Sequence, residues 1–68
     1  MFPVEIHIAA EDALTDEMAK MRQWLDHQRF EPSVFRYTFK PPGVVFQVVF
    51  TAEAEAAAFA GAFGGLVR

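Results

Sequence analysis

Two segments near the middle of the chain alternate or run apolar: Ser33-Val34-Phe35-Arg36-Tyr37-Thr38-Phe39-Lys40 and Val44-Val45-Phe46-Gln47-Val48-Val49-Phe50-Thr51, joined by Pro41-Pro42-Gly43. Such runs bounded by turn residues predict a β-hairpin. In the first strand Phe35, Tyr37 and Phe39 share one face, and Val34, Arg36, Thr38 and Lys40 the other. In the second, Val44, Phe46, Val48 and Phe50 form the more apolar side, opposed by Val45, Gln47, Val49 and Thr51. Paired residues must share a face, so an odd-numbered position pairs with an even one. A two-residue turn at Pro42-Gly43, or a four-residue loop from Pro41 to Val44, then sets Phe39 opposite Phe46, Tyr37 opposite Val48, Arg36 opposite Val49 and Phe35 opposite Phe50.

Upstream, Phe2, Val4, Ile6 and Ile8 alternate with Pro3, Glu5, His7 and Ala9, the pattern of a half-buried strand. Leu14, Met18, Met21 and Leu25 then recur at helical spacing, with Asp12 or Thr15 as caps and Asp16 and Glu17 in the first turn. Pro32 disfavours helical geometry at Glu31, so this helix ends near Arg29. After the hairpin, Ala52 to Phe63 is alanine-rich, with Glu53 and Glu55 near its start and Ala52, Ala56, Phe59 and Phe63 as its apolar stripe. Gly64-Gly65 supplies the stop, and Leu66 is expected to fold back on the last turn.

The order β-α-β-β-α predicts one α+β domain over residues 1–68. Its three-stranded antiparallel sheet has the order 1-3-2, with both helices on one face. This topology resembles a ferredoxin-like fold lacking its last strand. Gly65-Leu66-Val67-Arg68 begins where that strand would start and is read as too short to complete it. The outer edge of the first strand is therefore expected to be bare. The core is expected to pack Met18, Met21, Leu25, Phe59 and Phe63 against Ile6, Tyr37, Phe46 and Val48.

Composition narrows the functional classes. At 53% hydrophobic content, a disordered chain is excluded. A core from 68 residues supplies only about 3–5 kcal/mol, and without cysteine neither disulfides nor thiolate zinc clusters can add to it. Self-association is the reinforcement left open. Met1-Phe2-Pro3-Val4-Glu5 lacks the regions of a signal peptide, and the longest uncharged runs, 41–52 and 56–67, fall short of a membrane span. A cytoplasmic protein without a membrane partner is expected, and the absence of cysteine is compatible with a reducing compartment. A formal charge of −3 with no basic stripe argues against nucleic acid.

Candidate chemistry is sparse. Glu5 and His7 share the face of the first strand turned from the helices, and Gln47 and Arg36 fall on the same face of its neighbours. A carboxylate, an imidazole, an amide and a guanidinium there can hold a small polar or anionic ligand, although solvated residues on a wet sheet face are the plainer explanation. Ser33 is the only serine and has no evident base, so no catalytic residue is assigned. His27 beside Asp26 and Arg29 suits a helix C-terminus. Two histidines twenty positions apart give no metal spacing, and no metal or cofactor is expected.

Val34, Val45 and Val49 all point to the helix-free face, and Trp24 lies at the flank of its helix stripe, where it can seal the core or anchor a partner. Sheet aromatics that stack RNA bases need an open face, whereas these occupy the side that must form the core. The expectation is a non-enzymatic protein acting as a homodimer or as an accessory module on a larger protein, through Val34, Val45, Val49 and Trp24. A small-ligand sensor using Glu5, His7, Arg36 and Gln47 is the alternative.

Overall fold

The alternation at the start of the chain produces β1 (Phe2–Ile8), in which Val4 and Ile6 are buried. After it come a 3-10 turn at Glu11–Ala13, α1 (Leu14–Gln28), β2 (Val34–Lys40), β3 (Gly43–Phe50), α2 (Glu53–Phe63) and β4 (Leu66–Val67). This computed structural model describes residues 1–67. The protein is α+β, with two helices and an antiparallel sheet of four strands in the order β2-β3-β1-β4.

Three expectations about the C-terminal segment need correction. The sheet has four strands rather than three, because Leu66 and Val67 pair with Glu5 and Val4. The outer edge of β1 is therefore occupied along those two residues, and Leu66, instead of folding back on α2, is 62% exposed. Gly65 makes this possible: a Cβ there would lie 2.6 Å from Ile6 Cγ1 and 3.0 Å from the Glu5 carbonyl oxygen, so only glycine brings the chain this close to β1. Arg68, the last residue of that segment, lies outside the described residues.

The hairpin keeps its predicted parity but slides by two residues. Tyr37 stands opposite Phe46, not Val48, and Arg36 opposite Gln47, not Val49; Phe35 faces Val48 and Phe39 faces Val44. The turn consists of Pro41 and Pro42, joined by a cis peptide bond, and Lys40 pairs with Gly43 across it. Gly43 is thus a strand residue, held against the backbone of Ile8 and Ala9 at the end of β1. Its conformation is not the reason for glycine; the space beside it is.

Both helices end in left-handed residues. Arg29 (φ 59°) donates its amide to the Asp26 carbonyl at 3.2 Å, and the Phe30 amide reaches the Leu25 carbonyl at 3.0 Å. This is the Schellman arrangement, which satisfies the last carbonyls of α1. Gly64 (φ 69°) ends α2 with its own amide on the Ala60 carbonyl, which also accepts from the Gly65 amide at 2.9 Å. At the start of α1 the expected Asp12 or Thr15 cap is absent; Ala13 precedes the helix without a side-chain cap, and the 3-10 turn leads the chain in.

Arg29 carries the only positive φ outside glycine among the described residues. A left-handed conformation costs a side-chain-bearing residue about 1–2 kcal/mol, and glycine's extra freedom in the unfolded chain returns part of that. Arg29→Gly should therefore stabilise by about 0.5–1 kcal/mol and raise Tm by a few degrees. Calorimetry showing an unchanged or lower Tm would count against this assignment of the cap.

The core is the shared face of β1 and β3 against both helices. Val4, Phe46, Val48, Phe50, Met21, Ala56 and Phe59 are all fully buried. Trp24 is half-buried and edge-on to Phe30, Phe59 and Phe63, with centroids 5.6–5.8 Å away, so it ties α1 to α2. Tyr37, expected in the core, is instead 42% exposed.

Candidate functional site

The helix-free face is organised in rows across the strands. One row runs Arg36, Gln47, Glu5 and Leu66, because each is the register partner of the next. The four candidate ligand residues are thereby brought together, with His7 next to Glu5 on β1. They are already engaged with one another: Arg36 donates Nε–H to Gln47 Oε1 at 2.8 Å, and the His7 ring meets Glu5 Oε1 at 2.7 Å. His7 is 60% exposed as a side chain, so its pair with Glu5 contributes at most about 1 kcal/mol. Among the described residues no group of three histidine, aspartate or glutamate side chains is placed to hold a metal ion.

The three valines share this face but do not form one patch. Val34 lies opposite Val49, which in turn faces Pro3, whereas Val45 lies in a separate row with Thr38 and His7. The polar row of Arg36, Gln47 and Glu5 runs between them. Val34 is 36% exposed, and Val45 and Val49 are half-buried by their strand neighbours.

A second surface was not anticipated from the sequence. On the helix side of β2, exposure rises toward the turn: Phe35 is half-buried, Tyr37 is 42% exposed and Phe39 is 52% exposed. Tyr37 and Phe39 contact each other edge-on at 5.6 Å. Two shallow grooves flank them along α1. One is bordered by Leu14, Met18, Arg22 and Tyr37, and the other by Arg22, Leu25, Phe30 and Phe35, where the Arg22 guanidinium lies 5.1 Å over the Phe35 ring. Alternation assigned these aromatics to the core side correctly, but it carries no information on how far a helix extends over an edge strand.

The backbone of β2 has no strand on its outer side among the described residues. Pro41 lacks an N–H, so the Lys40–Gly43 pair closing the turn must be of the type that exchanges both backbone bonds. Bonding then alternates along the strand. Val34, Arg36, Thr38 and Lys40 direct their N–H and C=O groups to β3, and Phe35, Tyr37 and Phe39 direct theirs outward. The longest free edge of the sheet is therefore on β2, not on β1.

No helix among the described residues is long and apolar enough to cross a membrane. No family model matches this chain, and no curated protein and no solved structure matches it.

Proposed function

We propose that this chain is a small non-enzymatic cytoplasmic protein on a ferredoxin-like scaffold, acting through self-association as a homodimer or as an accessory module on a larger protein. The element order and the sheet order β2-β3-β1-β4 support the scaffold. The observation that carries the interaction reading is the coincidence of two exposed aromatic side chains, Tyr37 and Phe39, with the unpaired backbone edge of the same strand. Edge strands that stay unpaired are normally shortened, charged or covered. Here seven residues of edge carry apolar surface on one face and only Arg36 and Lys40 as charges on the other. A core of this size, without disulfides, also gains stability from a second subunit.

Light scattering at high micromolar concentration should report twice the 7.6 kDa of a single chain. A single-chain mass throughout that range refutes self-association.

The second reading, a small-ligand sensor, is favoured by one observation: Glu5, His7, Arg36 and Gln47 do converge on the open face. If the chain is monomeric, and a small polar or anionic metabolite raises its Tm in proportion to its concentration, this reading takes over.

A further inference from the structure

Resting on the self-association reading, we infer that the partner of β2 is β2 of a second copy, paired antiparallel about a twofold axis through Tyr37. Residues opposite one another must share a face, so a self-paired strand centres on a residue, never between two. Three centres lie near the middle of β2: Arg36, Tyr37 and Thr38.

The charges select among them. Centring on Arg36 sets it against its own copy, and centring on Thr38 sets Arg36 against Lys40; like charges directly opposite are destabilising. Centring on Tyr37 places Arg36 opposite Thr38 and Lys40 opposite Val34, with no like pair. The same centre overlaps Val34–Lys40 end to end, and Pro32 and Pro41, each without an N–H, bound it on either side. Arg36 and Lys40, which on an edge strand act against promiscuous pairing, thus leave one register open.

The outward backbone groups fit this register. Phe35, Tyr37 and Phe39 present their N–H and C=O groups, and pairing about Tyr37 matches Phe35 with Phe39 of the second copy and Tyr37 with itself, so every outward group finds a partner. On the helix side the exposed Phe39 of each copy meets the groove that Phe35, Arg22 and Leu25 border in the other. Half-exposed Tyr37 and Phe39 rings from both copies bring about 400 Å² of aromatic surface, roughly a quarter of what a specific interface of standard size buries. The two sheets then run on as one, twice the four strands of a single chain.

Isotope-filtered NOE spectroscopy on a mixture of labelled and unlabelled chains tests the register directly. The expected result is an intermolecular contact between the Cα protons of Arg36 and Thr38, which lie closest in pairs that do not exchange hydrogen bonds. Thr38 is exposed, so Thr38→Lys and Thr38→Glu should leave the fold intact. The first should weaken dimerisation about five- to tenfold, by facing Arg36 with a like charge twice over, and the second should tighten it. A dimer whose intermolecular contacts arise from Val45 and Val49 overturns this pairing and leaves self-association standing. Contacts between Arg36 and Lys40, or equal dissociation constants for the two Thr38 variants, also overturn it. A single-chain mass at high micromolar concentration refutes both, whether β2 takes up a strand of another protein or none.

Discussion

Phe59→Ala should leave the chain without a cooperative unfolding transition. Phe59 is fully buried on α2 and meets three rings: Phe63 at 5.0 Å, Phe50 at 5.4 Å and Trp24 at 5.6 Å between centroids. Through these rings it links α2 to β3 and to α1. Truncating a buried phenylalanine costs about 3–5 kcal/mol, of the same order as the whole stability a core this small supplies. The comparison decides the outcome: the substitution removes essentially all the stability of the subunit. Far-UV circular dichroism against urea should show a sloping baseline in place of a sigmoid. A retained sigmoid with less than about 1 kcal/mol lost would mean that the aromatic cluster does not hold the helices.

Gly43→Ala should cost about 1–3 kcal/mol and lower Tm by roughly 5–20 °C. A glycine-to-alanine change in an open extended segment ordinarily stabilises by about 0.4–1 kcal/mol through the unfolded state, so sign as well as size is at stake. At Gly43 the added carbon would collide with the carbonyl oxygen of Ile8, a backbone atom with no rotamer to escape into. The end of β1 must move, and with it the Ile8–Val44 and His7–Val45 pairs. Gly61, beside which nothing lies within 4 Å, is the control, and alanine there should be neutral or stabilising. Equal Tm values for the two variants would show that Gly43 is not needed for the approach of β1.

The same residue explains what could and could not be read along the chain. Alternation identified the faces of β1, β2 and β3, because side-chain direction is a local property of an extended backbone. Register is not local. Pro42-Gly43 has turn chemistry, but the requirement that keeps glycine at 43 comes from Ile8, thirty-five positions away, and it draws Gly43 into the strand and leaves Pro41 and Pro42 as the turn. Among the described residues β4 has only two, with no period to detect, and its pairing depends on Gly65 meeting β1. At the sites, Glu5, His7, Arg36 and Gln47 were legible because their sharing a face follows from parity alone. The exposure of Tyr37 and Phe39 was not, since it depends on how far the helices extend over an edge strand, which alternation does not encode.

The central place of β3 has a consequence for the chain before it is fully folded. β2 and β3 meet across a two-residue turn, whereas β1 reaches β3 from far away in sequence, with Phe2 opposite Phe50 and Ile8 opposite Val44. The hairpin should therefore close first, with β1 docking later, after a longer loop has been ordered. In that interval one edge of β3 is open. Val44-Val45-Phe46-Gln47-Val48-Val49-Phe50 holds no charge, proline or glycine, which is the composition of segments that stack into intermolecular cross-β structure. The strand that native pairing hides most completely is thus the one that a slow arrival of β1 leaves open to aggregation.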